Sequence, residues 1–202
     1  MYSKPLVSVL INNYNKEKHC LRAVKSILNQ NYKRIEIIFY DDGSSDNSLN
    51  NINRISKKNP KKIQIIKNNI RGKIYSFNQL NGIIRSFKKC KGKIICILDS
   101  DDFFKKNKIE KIVQYFQENK SCNLVFDLPI YYYNSNFQTK SKNNFLKRLN
   151  KWPKFPPTSC ISLRKKGLKD ILNKIKIKKF EEIWFDFRIS TYFSFKKKEF
   201  NL

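Results

Sequence analysis

The sequence predicts an α/β fold in which a mostly parallel, doubly wound sheet is flanked by helices on both faces. Two observations support this class. Short apolar runs rich in Ile and Val alternate with longer segments in which apolar residues recur every three or four positions. The runs are typical of strands buried on both faces, and the longer segments are typical of connecting helices. Their alternation indicates right-handed crossovers between parallel strands.

The first half of the chain repeats a strand and a helix four times. The predicted strands are Leu6–Ile11, Ile35–Tyr40, Ile63–Ile66 and Ile94–Leu98. The helices that follow are marked by four sets of apolar residues at helical spacing: Leu21, Val24, Ile27 and Leu28; Leu49, Ile52 and Ile55; Phe77, Leu80, Ile83, Ile84 and Phe87; Ile109, Ile112, Val113 and Phe116. Because such crossovers join parallel strands, the carboxyl ends of the four strands should share one edge of the sheet.

The second half is less regular. Strands are predicted at Leu124–Asp127 and Ile130–Tyr133, and three prolines make Trp152–Pro157 a rigid, extended loop. Trp152 is interpreted either as a stacking platform for a ligand or as a core residue.

Two later Lys-rich segments carry apolar side chains. They are the face Leu168, Ile171, Leu172 and Ile175, and the group Phe193, Phe195 and Phe200 around Lys196–Lys198. Basic amphipathic surfaces of this kind suit an anionic membrane, and the same pattern also suits a helix that packs on the core.

Length and composition indicate a cytoplasmic globular protein. With 202 residues, 40% of them hydrophobic, the chain can bury a core as one domain. The apolar run at 6–11 is too short for a signal sequence, and no run approaches the ~20 residues of a spanning helix. The five cysteines are odd in number and include no C-x-x-C pair, which indicates reduced thiols rather than disulfides or a zinc site.

A cluster of acids follows the fourth strand. Asp99, Asp101 and Asp102 stand directly after its apolar run, where open α/β sheets bind their ligands. Acids this close in sequence repel one another unless a cation neutralises them. Their oxygens suit Mg²⁺ or Mn²⁺, which binds one or two carboxylates together with water and phosphate oxygens. The alternative interpretation is an acidic turn that caps the next helix.

Two other strands also end in polar residues. Asn12–Asn15 follow the first strand, and Asp41 and Asp42 follow the second, before a turn at Gly43–Asp46. At a shared sheet edge these residues would line an acidic crevice. Such a crevice can hold a nucleoside by hydrogen bonds to carboxylates and a diphosphate through a metal ion.

These motifs resemble, in order and spacing, those of family 2 glycosyltransferases with the GT-A fold. The matching segments are Val7–Asn15, Ser26–Gln30, Tyr40–Asp46 and Leu98–Asp102. The resemblance covers the first half of the chain. It implies transfer of a sugar, with inversion at the anomeric carbon, from a nucleoside-diphosphate sugar to a hydroxyl of a growing cell-surface glycan or glycolipid. It also implies one domain, in which 1–104 bind the nucleotide sugar and 105–202 face the acceptor. The chain ends sooner after the expected catalytic helix than relatives usually do, which leaves two interpretations: a minimal enzyme, or one shortened at the carboxyl end.

The resemblance also implies roles for single residues. The expected nucleotide-sugar-binding residues are Asn12, Tyr14, Asp42, Lys73, Asp99 and Ser100. Of these, Asn12 and Tyr14 would lie against the base, Asp42 would accept a base N–H, and Asp99 would hold the ribose or the donor sugar.

The remaining implied roles concern the diphosphate and the acceptor. Asp101 with Asp102 would bind Mn²⁺ or Mg²⁺, which stabilises the departing diphosphate. Lys73, and less surely Arg71, would add charge there. The alternative for both is a solvated loop, which we favour for Arg71. For Trp152, the resemblance makes a sugar the ligand that its ring would stack on. A UDP-sugar is the expected donor, and Thr158–Ser162 occupies a position where the family places acceptor-side residues.

The catalytic base is expected in Phe180–Arg188, because the family places an acid followed by an Arg on a late helix. An ionised carboxylate can take the proton of the acceptor hydroxyl. The family's Arg commonly falls six residues after the base, which favours Glu182 because Arg188 stands six residues later. Asp186 has the preferred residue type and would lie one helical turn away on the same face. A third interpretation is that one of these acids only pairs with Arg188.

The formal charge of +27 raises the question of an anionic partner. Lys, Asn and Ile are abundant throughout, as AT-rich codon usage alone produces, and no nucleic-acid-binding motif is recognisable. We therefore expect no nucleic-acid partner. The expected acceptor is a glycan or a lipid-linked molecule, with peripheral contact at the inner face of the cytoplasmic membrane. The alternative function is a basic nucleic-acid-binding or membrane-surface protein without transferase activity.

Overall fold

The computed structural model describes residues 4–133, 136–139, 156–175 and 180–195. Within them the strands are β1 (Val7–Asn13), β2 (Ile35–Asp41), β3 (Ile63–Lys67), β4 (Ile94–Asp99), β5 (Leu124–Phe126), β6 (Ile130–Tyr133), β7 (Asn136–Thr139) and β8 (Ile161–Arg164). The α-helices are α1 (Cys20–Leu28), α2 (Ser48–Lys58), α3 (Tyr75–Lys89), α4 (Lys108–Glu118), α5 (Lys165–Ile175) and α6 (Phe185–Phe195).

One six-stranded sheet forms the centre of the fold, in the order β3-β2-β1-β4-β8-β5. Strands β1 to β4 pair in parallel, whereas β8 runs antiparallel to both of its neighbours. A separate hairpin joins β6 to β7. The predicted mostly parallel sheet flanked by helices is therefore confirmed, and each predicted strand of the first half is present.

Side chains alternate between the two faces of the sheet and form two hydrophobic layers. Val9 of β1 points into the layer that α1, α2 and α4 cover, and Leu10 points into the layer under α3, α5 and α6. Both side chains are fully buried. This two-sided burial explains why the central strands read as continuous apolar runs.

Glycines allow the closest approaches between helix and sheet. A Cβ added at Gly82 of α3 would stand 2.6 Å from the Tyr40 ring and 2.7 Å from Asn12 Oδ1. Helix α3 therefore packs directly over the carboxyl ends of β1 and β2, beside the polar residues that follow them.

The second half contains elements that the sequence did not indicate. A short 3-10 helix (Thr158–Cys160) leads into β8, which inserts between β4 and β5. The last helix begins only at Phe185, so the expectation that Glu182 lies on it is wrong. Glu182 stands in the preceding turn because Ile183 N–H and the Arg188 guanidinium both donate to the Phe180 carbonyl and close that turn.

The apolar face of α5 belongs to the core. Leu168 and Ile171 are fully buried and Leu172 nearly so, as is Phe193 of α6. These side chains pack under the sheet, which decides between the core and the membrane interpretations of their pattern. Trp152, Lys196–Lys198 and Phe200 lie outside the described residues, as do the side chains of Ile175 and Phe195. All five cysteines are buried thiols that form no disulfide.

Candidate active site

The acidic strand ends meet at one edge of the sheet, as the sequence predicts. In the register of the central strands, Asn12 pairs with Asp99 of β4 on one side, and Asn13 pairs with Asp41 of β2 on the other. Parallel pairing brings these residues together because each strand ends at the same level.

Asp41 and Asp42 are adjacent in sequence but make different contacts. Asp41 is fully buried and accepts from the Ser44 hydroxyl at 2.7 Å and the Asn13 amide at 2.9 Å, so it holds the turn after β2. Asp42 points into the cleft, where Asn68 donates to its Oδ1 at 2.9 Å. Because Oδ1 is bound by Asn68, the other oxygen, Oδ2, can accept from a group in the cleft.

Arg71 occupies this cleft, so the expectation that it lies in a solvated loop is wrong. Its guanidinium carbon lies 3.6 Å from the centre of the Tyr14 ring and 4.5 Å from that of Tyr75. Its Nε lies 3.0 Å from Asp42 Oδ2. Cation–π contact and ion pairing hold the side chain here because both are strengthened by partial removal from water. Tyr14 and Asp42 therefore both contact the Arg71 guanidinium.

Three other residues that the sequence predicts to bind the nucleotide sugar have different surroundings. The Asn12 amide donates to the Gln79 carbonyl at 3.0 Å, so this side chain ties β1 to α3 rather than facing the cleft. Ser100 is buried, and its N–H donates to the Asn12 carbonyl at 3.2 Å. Lys73 is exposed on the loop before α3.

The carboxylates after β4 generate a strong local negative potential. Burial, together with repulsion from Asp102 and Asp101, raises the pKa of Asp99 from 3.8 to about 7. Asp101 Oδ2 forms an ion pair with Lys16 at 2.7 Å. Asp102 Oδ2 accepts from the Ser159 hydroxyl at 2.6 Å, and the same hydroxyl accepts from Asp99 N–H at 3.0 Å.

The carboxylate oxygens of Asp101 and Asp102 are suitable ligands for a hard divalent cation. In the described part of the chain, no group of three or more His, Cys, Asp or Glu side chains converges as a ready-made metal site. Asp101 and Asp102 supply carboxylate oxygens at the cleft edge, which suits an ion bound through one or two carboxylates and substrate phosphate oxygens. A cation there would also relieve the repulsion that raises the pKa of Asp99.

The two candidate bases have different surroundings. Asp186 lies in the first turn of α6, and burial raises the pKa of its carboxyl above the usual range. Repulsion from Asp186 makes a minor contribution to the rise in the pKa of Asp99, after burial and the charges of Asp102 and Asp101. Glu182 is exposed in the turn before α6. Arg188 pairs with neither acid in the described residues, because it donates to the carbonyls of Ile183 at 2.8 Å and Phe180.

Gln79 links the donor cleft to the helix that carries Asp186. Its Nε2 donates to Thr158 Oγ1 at 3.3 Å and reaches Asp99 Oδ1 at 3.5 Å. Its Oε1 accepts from the N–H of Phe185, the first residue of α6, at 3.4 Å. Sequence reasoning missed Gln79, Lys16 and the role of Ser159, because none of them belongs to a local motif.

Comparisons with known proteins identify the family of this chain. Residues 8–198 match the family described as Glycosyl transferase family 2. An uncharacterized glycosyltransferase of Nostoc is 31% identical over 176 residues, covering 82% of this chain and 52% of that protein. A UDP-Glc:alpha-D-GlcNAc-diphosphoundecaprenol beta-1,3-glucosyltransferase of Escherichia coli is 34% identical over 132 residues, covering 65% of this chain and 48% of that protein. The chain thus spans about half the length of these relatives.

Solved structures support the predicted GT-A fold. A mannosyltransferase from Pyrobaculum calidifontis in complex with GDP-Man and Mn²⁺ superposes with a TM-score of 0.69 at 14% identity, over 93% of this chain and 51% of that one. TarS residues 1–349 of S. aureus in complex with UDP superpose with a TM-score of 0.65 at 18% identity, over 88% of this chain and 52% of that one. No helix in the described ranges is long and apolar enough to cross a bilayer.

Proposed function

The chain belongs to glycosyl transferase family 2, and from this we propose that it transfers a sugar, with inversion, from a nucleoside-diphosphate sugar to an acceptor hydroxyl. The observation that carries the proposal is the meeting of three features at one sheet edge. They are the cleft between Tyr14 and Asp42, the carboxylates of Asp99, Asp101 and Asp102, and the half-buried Asp186 in the first turn of α6, a helix whose first residue is linked by Gln79 to Asp99. The proposed acceptor is a cell-surface glycan or glycolipid, and the proposed location is the cytoplasm at the inner membrane face.

The nucleobase would bind where the Arg71 guanidinium now lies. Tyr14 offers a flat aromatic face, and Asp42 Oδ2 offers an acceptor for a base N–H. A base that stacks on Tyr14 must displace Arg71, and the freed guanidinium can then approach the diphosphate. A uracil base has the N–H that Asp42 requires, so we propose a UDP-sugar as donor. The E. coli relative, which is 34% identical and is named as using UDP-Glc, supports this choice.

Asp101 and Asp102 would hold Mn²⁺ or Mg²⁺, which when bound acts as a Lewis acid toward the leaving diphosphate. Lys16 forms an ion pair with Asp101, and the Ser159 hydroxyl donates to Asp102, so both carboxylates are oriented by protein contacts. Lys16 would exchange its partner Asp101 for phosphate oxygens, and exposed Lys73 would add positive charge on the loop before α3. The Pyrobaculum enzyme is in complex with Mn²⁺, which supports the use of a divalent cation but does not identify its ligands here.

We assign the general base to Asp186 rather than to Glu182. Burial of the Asp186 carboxyl, and the contribution of its charge to the raised pKa of Asp99, support this assignment. A raised pKa also strengthens the carboxylate as a base while leaving it ionised once the pH exceeds that pKa. The exposed Glu182 has neither advantage. The base would take the acceptor hydroxyl proton as the oxygen attacks the anomeric carbon and the nucleoside diphosphate departs.

A donor screen tests the function. The protein is incubated with a panel of nucleotide sugars and Mn²⁺, and slow hydrolysis to free nucleoside diphosphate is measured. We expect one UDP-sugar to be hydrolysed above the rest, and the rate to fall with chelator. Absence of hydrolysis across the panel, together with tight nucleic-acid binding in gel shifts that survives high salt, would favour the alternative function of a basic binding protein.

A further inference from the structure

A chain of hydrogen bonds behind the nucleobase cleft joins Asp42 to helix α3. Asn68 directly follows β3, and its backbone N–H donates to the Asp41 carbonyl at 2.8 Å, which fixes it beside the end of β2. Its side-chain amide donates to Asp42 Oδ1 at 2.9 Å and to the Ile70 carbonyl at 2.7 Å. Arg85 of α3 donates to the oxygen of the same amide at 2.8 Å. Both polar atoms of the Asn68 amide therefore have partners.

Arg85 permits only one orientation of the Asn68 amide. A guanidinium can only donate hydrogen bonds, and an ionised carboxylate can only accept them. The amide oxygen must therefore face Arg85, and the amide NH₂ must face Asp42. Turning the amide by half a rotation would bring donor against donor and acceptor against acceptor, and both hydrogen bonds would be lost. Arg85 thus decides which atom of Asn68 meets Asp42, although no ion pair joins Arg85 to Asp42.

The guanidinium of Arg85 has neutral partners. It is half-buried, it lies 5.4 Å from the centre of the Tyr40 ring, and it forms no ion pair in the part of the chain that the structure describes. Removing a cation from water costs free energy that hydrogen bonds must offset. An apolar side chain would pack on Tyr40 without that cost. The presence of an arginine here is therefore explained by its hydrogen bond to Asn68.

Tyr40 supplies a second donor to the same oxygen of Asp42. Its hydroxyl lies 3.3 Å from Asp42 Oδ1, and the side chain is buried. Burial, followed by the charge of Asp42, raises the pKa of Tyr40 to about 12, so the hydroxyl keeps its proton and can donate at neutral pH. Asn68 and Tyr40 together occupy Oδ1. The other oxygen, Oδ2, faces the cleft, where it lies 3.0 Å from Arg71 Nε.

We propose that Arg85, acting through Asn68, is a positioning residue that makes the nucleobase site select uracil over cytosine. The inference rests on the proposed function, because it concerns the base of the proposed UDP-sugar donor. Uracil presents an N3–H that Asp42 Oδ2 can accept, whereas cytosine presents a lone pair at the same ring position. The carboxylate repels that lone pair, and the cytosine nitrogen loses its hydrogen bond to water without a replacement. This selection requires Oδ2 to stay in place, and Arg85 with Asn68 supplies the constraint.

Calorimetry with UDP and CDP at one Mn²⁺ concentration tests the role of Arg85. The two ligands share their diphosphate and metal contacts, so the ratio of their dissociation constants reports on the base. Wild-type protein should bind UDP at least about tenfold more tightly than CDP. Arg85→Met should weaken UDP binding at least about fivefold and leave CDP binding within about twofold, because Met keeps the packing on Tyr40 but releases Asn68. The matched control Lys89→Met removes one positive charge from the exposed end of the same helix and should keep the wild-type ratio.

A double-mutant cycle tests whether Arg85 acts through Asn68. Asn68→Ala should lower the preference for UDP as Arg85→Met does. The double variant should be no worse than Asn68→Ala alone, because the effect of Arg85 passes through that amide. Additive losses would show that Arg85 acts on the nucleotide by another route and would overturn the proposal. Equal weakening of UDP and CDP binding in Arg85→Met would show a purely structural role and would overturn it as well.

The donor screen separates failure of this inference from failure of the proposed function. If wild-type protein hydrolyses a UDP-sugar while Arg85→Met keeps the wild-type ratio, only the role of Arg85 is refuted. If wild-type protein binds UDP and CDP equally, there is no selectivity for Arg85 to set and the inference is refuted, whereas hydrolysis of any donor would still support the transferase function. A protein that neither binds a nucleotide nor hydrolyses a donor would refute both.

Discussion

Replacing Asp186 by Asn is the sharpest test of the proposed chemistry. The change keeps the shape of the side chain and an oxygen that can accept from Phe187 N–H, which donates to Asp186 Oδ1 at 2.8 Å. It removes the negative charge and the ability to take a proton. We expect sugar transfer to fall by about 10²–10⁴-fold, the usual contribution of general-base catalysis. This corresponds to about 2.7–5.5 kcal/mol of transition-state stabilisation.

The fold should tolerate Asp186→Asn, because two effects of the lost charge oppose each other. The carboxylate loses a favourable interaction with the α6 amino terminus, worth about 0.3–1 kcal/mol. Burial raises its pKa, so the ionised form costs stability above that pKa, and Asn removes this cost. We therefore expect a change in unfolding free energy within about 1 kcal/mol.

The assay compares Asp186→Asn with the matched variant Glu182→Gln. Transfer rates, donor-nucleotide affinity by calorimetry and thermal melts are measured for both. Glu182 is exposed in a turn, so its amide variant should transfer sugar at close to the wild-type rate. Donor affinity should stay near wild type in both. A nearly silent Asp186→Asn beside an inactive Glu182→Gln would show that spacing to Arg188 was the better guide and that the burial argument is wrong. Wild-type activity should also decline as acid pH protonates Asp186.

Three further predictions concern the carboxylates and the packing beneath them. Asp101→Asn should abolish the dependence of nucleoside-diphosphate binding on divalent cation; equal affinity of wild-type protein with and without chelator would contradict the metal assignment. The pKa of Asp99 is raised from 3.8 to about 7, so its contribution to stability is full below about pH 4 and is lost as the pH rises toward 7. Asp99→Asn should lack this decline in melts run without metal, and a decline equal to wild type would refute it. Gly82→Ala would place a Cβ 2.6 Å from the Tyr40 ring, and we expect about 1–2 kcal/mol of destabilisation in urea unfolding after the gain in helix propensity; an unchanged midpoint would show that α3 shifts freely.

The sequence by itself determined the sheet and its acidic edge. Apolar runs and helical periodicity are local patterns, and parallel pairing then forces the ends of β1, β2 and β4 to one level. Asp42 and Asp99 could therefore be predicted as neighbours in one crevice although they are far apart in the chain. The order and spacing of the same motifs also indicated the family that the comparisons show.

The tertiary structure alone decided which side chains complete the site. Arg71 looked like an ordinary loop cation, because nothing near it in sequence reveals that Tyr14 and Asp42 would surround it. The link from Gln79 to Thr158 likewise joins residues whose local sequences carry no shared signal. Such contacts arise from the packing of α3 on the sheet, and no periodicity encodes them.

Two further choices depended on packing for the same reason. The apolar residues of α5 would have the same spacing on a helix that binds a membrane and on a helix that packs on a core. Only the packing of β8 and α6 around Leu168 shows that this side chain is buried. The predicted start of α6 was too early. Arg188 donates to a backbone carbonyl in the turn before the helix. Sequence spacing cannot distinguish this contact from a pair between Arg188 and an acid. Burial raises the pKa of Asp186, whereas Glu182 is exposed. The sequence could not show this difference, because desolvation of a side chain depends on neighbours from other elements of the fold.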